Sequence, residues 1–422
     1  MRIAVVGAGI AGLTSAYLLS QEHEVTLFEA NGYLGGHTHT HDVEQDGVRH
    51  AIDSGFIVHN PTHYPLFNRL LDSLGVASQP TTMSFAVHSA ASGVEYNATR
   101  LDTLFCQRRN LVSPRFLGMV RDLLRFYREA PALLAQFGPG PSLGTYLTQG
   151  NYGAAFRDEH IVPMASALWS SPAARILDFP ARYLVQFMAN HQMLQVAGRP
   201  AWRVIRGGSA SYVRAMRAGW HARERLDCPV VSVRRRRGGV DVVSAAGVET
   251  FDELVLACHS DQALALLADP SPAECEILGA MPYEANDAVL HTDASVLPRE
   301  RKAWAAWNVY VPRESGQPCQ VSYCMNLLQG VTSREPFIVT LNRTQAIDPA
   351  RVLRRMQYHH PLYTAASVAA RARREEISGH RRTWYAGAYW GWGFHEDGVR
   401  SAMAVVDSLR ARNAMQGWAV AA

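Results

Sequence analysis

Three glycines, Gly7, Gly9 and Gly12, and one carboxylate, Glu29, have the spacing of a dinucleotide site. The glycines stand in GAGIAG, which follows the apolar run RIAVV and precedes LTSAYLLSQ, a segment with helical spacing. EVTLFEA then supplies a second strand that ends at Glu29. In such a βαβ unit Gly7 allows the tight turn, and Gly9 lets the backbone approach a pyrophosphate. Gly12 lets the helix pack closely on the strand. The helix N-terminus, with Ala11 counted in the cradle, offers free N–H groups and a positive dipole end to phosphates. Glu29 is placed to accept hydrogen bonds from ribose hydroxyls and would repel a 2′-phosphate. NAD and FAD sites share this fingerprint.

Other residue patterns invite chemistry and resist it. His37, His39 and His41 alternate, so a strand would put all three on one face like metal ligands. No carboxylate or cysteine completes the set, and no metal site is expected. Arg234 to Arg237 form a run of four arginines at a predicted hairpin tip, which reads as a solvated turn or a contact for anionic lipid headgroups. Lys302 is the sole lysine and lies in the charged segment PRERKAW. No GxSxG elbow or zinc-like spacing offers a rival chemistry.

The elements that must position these residues fit in a chain of 422 residues, long enough for a large core and two or more lobes. Hydrophobic residues make up 48% and charged residues 18%, the balance of a folded soluble protein. A net charge of +4 gives no argument for nucleic acid. No apolar run reaches membrane-spanning length, and the first residues lack a secretory pattern. The six cysteines are scattered without a CxxC pair and read as free thiols of a reducing compartment. A cytoplasmic enzyme is therefore expected. From about Ser84 to Gln195 the chain reads as mainly helical, with amphipathic spacing in RFLGMVRDLLRFYREAPALLAQF. From about Leu267 to Ile377 strands such as NDAVLHTD and PFIVTLN alternate with polar loops.

Beyond Glu29 the sequence resembles known flavoenzymes. The Gly35–Gly36 pair resembles the second glycine motif of glutathione-reductase-type FAD enzymes, although His37 stands where an arginine commonly follows. AIDSGFIVHN resembles the segment that passes close to the isoalloxazine ring in flavin amine oxidases, with Gly55 and Phe56 at the approach. Residues 383–406, TWYAGAYWGWGFHEDGVRSAMAVV, resemble the closing motif of the amine-oxidase and phytoene-desaturase superfamily. There the strand-end Gly387, Ala388 and a helix starting near Gly398 and Val399 would face the flavin. Ala388 stands where an acidic residue is usual. RVIRGGSASYV resembles the superfamily's glycine turn, and Val231 falls where its adenine-side backbone contact occurs.

The resemblance implies FAD as cofactor and an α/β, Rossmann-like (glutathione-reductase-type) FAD-binding fold with an inserted α+β substrate domain. The cofactor domain is expected to be discontinuous, from residues 1–83, 196–266 and 378–422. Residues 84–195 and 267–377 then form the substrate domain. Phrases such as IVPMASALWSSP, FMANHQMLQV and VTLNRTQAIDP narrow the likeness to bacterial FAD-binding proteins associated with cyclopropane-fatty-acid-synthase-like methyltransferases.

What this likeness implies is hydride transfer from a substrate C–H bond to flavin, with oxidation or desaturation of a fatty acyl chain, plain or methylated. Such a methyltransferase is the implied partner, with or without peripheral contact at the inner membrane surface. The alternatives are an amine oxidase acting on a small amine or polyamine, and a non-catalytic flavoprotein partner of the methyltransferase. Desaturation needs a base, and His59 and His191 are the candidates. The superfamily's amine oxidases usually hold a lysine near the flavin, and here only Lys302 is available.

Overall fold

The computed structural model describes residues 1–421 apart from 139 and 315, with side chains to residue 414. Arg2–Val6 becomes the central strand of a five-stranded parallel sheet, with Ile3, Ala4 and Val5 fully buried. Across the sheet the order is Arg223–Arg225, Glu24–Phe28, Arg2–Val6, Glu253–Leu256 and Thr383–Tyr385. Four distant stretches of the chain thus meet in one sheet. Burial on both faces explains the unbroken apolar runs that mark its strands.

The first strand turns at Gly7, whose φ of +98° favours glycine, into the helix Ile10–Leu19. A Cβ at Gly12 would collide with the Gly7 carbonyl oxygen, so strand and helix can close only over glycine. The long closing helix His395–Ala421 crosses this first helix, and Gly398 makes the close contact there with Ile10.

A second sheet of seven strands forms the other lobe. Its order is Val352–Pro361, Tyr283–His291, Ile338–Leu341, Gln320–Cys324, Trp307–Val311, Phe85–Ser89 and Glu95–Asn97. All neighbours are antiparallel except Phe85–Ser89 beside Trp307–Val311. The stretch expected to be mainly helical therefore contributes the last two strands at one end of the sheet, too short to show a period-two pattern in the sequence. Its helices do form. Pro114–Glu129 starts on Ser113, whose hydroxyl accepts from Phe116 N at 3.3 Å, and buries Phe116, Met119 and Phe126. Among the described residues no helix is long and apolar enough to cross a membrane.

The predicted hairpin pairs Val230–Arg236 with Gly239–Ser244, and Gly247–Phe251 adds a third strand. The arginine run does not behave as one solvated turn. Arg235 points inward with its side chain 1% exposed, bonded to Glu274 and 3.1 Å from Asp269. Strand alternation separates it from exposed Arg234 and Arg236.

Candidate active site

One cavity of about 1140 Å³ runs from the first glycine turn into the second lobe. At its near end lie Gly7, Gly9, Ala11, Glu29, Gly35, Gly36 and His37. Gly35 and Gly9 form a bridge between the two turns, which brings the motifs of residues 7–12 and 35–37 together. No atom lies within 4 Å of a Cβ built on Gly9, so this backbone is open to a ligand. The Glu29 carboxylate accepts from Ala8 N at 2.8 Å and Asn31 N at 2.9 Å, which fixes its position beside the turn. Open glycine backbone, a helix N-terminus and an oriented carboxylate fit the dinucleotide half of FAD.

Further along, Gly55, Phe56, Gly387 and Ala388 also line the cavity. The close approach at Gly55 is to the protein's own backbone: a Cβ there would collide with the His37 carbonyl, and Phe56 N donates to that oxygen at 2.7 Å. Several expected contacts are displaced. Val231 turns its side chain outward, 62% exposed, while Val230 lines the cavity. Gly398 packs on Ile10 and Val399 is buried in the core, so neither is part of the cavity lining, while Gly12 packs on Gly7 as the close strand–helix contact requires.

The two candidate bases part company. His59 is fully buried, sits edge-on to Phe67 and lies 3.1 Å from Asn68 through Nδ1; it does not line the cavity. His191 does, at the end of the helix Ala181–Asn190. Its Nδ1 donates to the Phe187 carbonyl at 2.9 Å, which leaves Nε2 as the acceptor. Burial, with nearby His63 adding, lowers its pKa to about 4, so the ring is neutral near pH 7.

Around His191 the wall is aromatic: Trp169, Phe187, Tyr363, Trp392 and Phe394 line this chamber. The loop carrying Trp392 and Phe394 is folded back by Asp397, which accepts from Trp392 N at 2.9 Å and Phe394 N at 3.1 Å. Arg371 lies among the rings, 4.9 Å from Tyr183 and 5.8 Å from Trp392, and donates to the Gly391 carbonyl. Lys302 is remote from all this, 59% exposed and 3.0 Å from Asp102. The His39 and His41 rings lie 4.0 Å apart, tilted by 46°, and among the described residues no group of three or more histidine, cysteine or acidic side chains is arranged to hold a metal.

His395 stands out in no sequence motif. It opens the closing helix, lines the cavity, and stacks on Phe56 with ring centroids 3.4 Å apart. Its Nε2 lies 2.9 Å from the Thr38 hydroxyl and 3.1 Å from that of Tyr212. Burial holds its pKa well below the ordinary value, with His37 and His59 adding. Glu396 beside it accepts from Phe67 N at 3.0 Å, capping the helix Pro65–Ser73. The signal was present: Glu396 and Asp397 crowd the first turn of a long helix, where acids are favoured.

A model of the family described as flavin containing amine oxidoreductase matches residues 10–293. The chain is similar to zeta-carotene desaturase of Synechocystis sp., with 41% identity over 76 residues. That match covers 18% of this chain and only 15% of the desaturase. Among solved structures it is similar to putrescine oxidase bound to putrescine, at TM-score 0.70 and 14% identity, covering 97% of this chain and 99% of that one. A CLA-producing fatty acid isomerase from P. acnes aligns at TM-score 0.67 and 16% identity, over 96% of this chain and 98% of the isomerase. Both structural likenesses show the fold.

Proposed function

The chain belongs to the flavin containing amine oxidoreductase family, and from that premise we propose that it oxidises or desaturates a fatty acyl chain, plain or methylated. It is an FAD-dependent oxidoreductase. The observation that carries the acyl reading is the composition of the cavity wall. Beyond the glycine turns the lining is mostly apolar and aromatic. Among the described residues Glu29, at the dinucleotide end, is its only carboxylate, and it contains no lysine. An alkyl chain gains about 0.8 kcal/mol for each CH₂ buried against such a wall. A cationic amine would lose its hydration there with no carboxylate to replace it.

Aromatic faces could still attract an amine. Arg371 already lies against two of these rings, 5.5 Å from Tyr363 and 5.8 Å from Trp392, so a second cation there would meet like charge. Arg199, the only arginine among the described lining residues, suits the carboxylate or phosphate of an acyl substrate. Size agrees, since about 1140 Å³ exceeds the roughly 300–1,000 Å³ of common ligand pockets and leaves room for a second molecule beside a dinucleotide. A fatty acid isomerase has this fold, so the fold can be built around a fatty acid.

Bound at the glycine turns, FAD would supply the acceptor for a hydride from the substrate C–H bond. His191 Nε2 takes the proton from the adjacent carbon, and a carbon–carbon double bond remains. The aromatic walls orient the chain and exclude water. A cyclopropane-fatty-acid-synthase-like methyltransferase is the proposed partner, supplying methylated chains. Exposed Arg234 and Arg237 are the proposed contacts to anionic headgroups at a membrane surface.

The test is anaerobic loss of the visible flavin band on mixing the holoprotein with substrates. Unsaturated and mid-chain-methylated phospholipids, free fatty acids, and a set of mono- and polyamines make up the panel. Reduction by the lipids alone supports the proposal. Reduction by amines alone, or by nothing offered, overturns it.

A further inference from the structure

The dinucleotide end of the cavity is walled by four histidines from three separate elements. His37 directly follows the Gly35–Gly36 turn, and His259 precedes the helix Ser260–Leu266. His359 and His360 come from the strand Val352–Pro361. All four line the cavity. Ring centroids lie 6.0 Å apart for His37 and His259, 5.3 Å for His37 and His360, and 6.3 Å for His259 and His359. His37 Nε2 is buried without a hydrogen-bond partner. Gly36 lies against Gly9, so the cluster adjoins the open backbone where a pyrophosphate would sit.

No permanent cation competes for this role among the described lining residues. They contain no lysine, and the single arginine, Arg199, lies in the helical lobe beside Tyr127 and His160. We propose, on the reading that this cavity holds FAD, that His37, His259 and His360 supply the positive charge opposite its pyrophosphate and take up protons as it binds. Retention of the cofactor is thereby coupled to pH.

The remaining groups facing the cluster do not supply that charge. Tyr358 shares the strand of His359 and His360, and Tyr283 stacks on His259 at 4.4 Å. Tyr33 and Cys258 also line this end, with His39 stacked on Tyr33 at 4.1 Å, and His395 lies close enough to His37 to feel its charge. The nearby acids are Asp261, in the first turn of the helix after His259, and Glu29, whose oxygens are engaged by Ala8 and Asn31. Before a phosphate arrives, burial and mutual repulsion hold His37 and His360 near pKa 3 and His259 near 4. A pyrophosphate reverses the sign of the local field and raises all of these values. Affinity then rises as pH falls through the raised values and levels off below the depressed ones.

The experiment is titration calorimetry of the full-length, flavin-stripped chain with FAD between pH 6 and pH 9, in PIPES and in Tris. Their different ionisation enthalpies report the protons exchanged. The expected result is net proton uptake, with Kd weakening by up to about tenfold per pH unit for each proton taken up. The double variant His37→Gln, His360→Gln should keep its melting transition, lose most of that uptake and flatten the pH slope. Should it fail to fold, the wild-type uptake decides. FAD binding with no proton uptake and a flat Kd overturns the histidine proposal alone. Failure to bind FAD at any pH overturns the cofactor assignment together with it.

Discussion

His191, which lines the cavity, and Phe187 are joined through one hydrogen bond, ring Nδ1 to backbone carbonyl at 2.9 Å, and that bond chooses the tautomer whose Nε2 is the proton acceptor. Replacing His191 with Gln should lower kcat by about 10²–10⁴-fold, the range for a lost general base. With a free-enzyme pKa of about 4, the basic form is complete above about pH 5. The wild-type kcat/KM profile should therefore show no His191 limb between pH 6 and pH 8 and should fall only in acid. A wild-type rate in His191→Gln would remove the residue from the mechanism.

Gly12 has no space for a methyl group against the Gly7 carbonyl. Gly12→Ala should destabilise the chain by about 3 kcal/mol, the upper range for overpacking, and reduce its flavin content. Thermal melting and the ratio of flavin to protein absorbance measure both effects. Unchanged values would mean that the strand and helix are not closed over this position.

Arg235 and Arg237 are two residues apart and should behave oppositely. Arg235→Ala leaves Glu274 buried without its guanidinium partner, at a cost of about 3–5 kcal/mol. Arg237→Ala alters an exposed side chain and should stay within about 0.5 kcal/mol. Denaturant melts of the two variants separate the cases.

Glu274 also predicts a pH window. Burial pushes its pKa up, but bonds from Arg235, Ser271 and Tyr385 outweigh that and lower it from 4.5 to about 2. A depressed carboxylate stabilises the fold above its unfolded value and ceases to do so as pH falls through the folded one. Stability should therefore decline between about pH 4.5 and pH 2, and Glu274→Gln should flatten that part of the curve in denaturant titrations.

Lys302, the sole lysine, is exposed and paired with Asp102 far from the cavity. Lys302→Met should leave flavin reduction by substrate unchanged in stopped-flow measurement. A collapse of that rate would restore a lysine-assisted amine chemistry.

The cofactor end was legible because its rules are local. A strand, three glycines, a helix and an acid within 29 residues satisfy short-range backbone sterics and hydrogen bonding, so the motif could be read as it stands. The substrate end was not. His59 and His191 carried the same chemical promise in the sequence, and only packing turned one into the core and the other toward the cavity. Val231 turns its side chain outward while Val230 lines the cavity, because strand alternation sends neighbouring side chains to opposite faces.

By itself the sequence determined the βαβ dinucleotide turn, the α/β class and the absence of a second lysine to serve a flavin. Tertiary structure alone decided that Arg235 is a buried ion pair, that Arg371 packs against Tyr183, Tyr363 and Trp392 of the chamber wall, and that His395 meets Thr38 and Tyr212. It also gathered His37, His259, His359 and His360 around one open turn. The physical reason is distance along the chain: these partners lie tens to hundreds of residues apart, where no local periodicity couples them. They are brought together when separate apolar faces are buried in common cores.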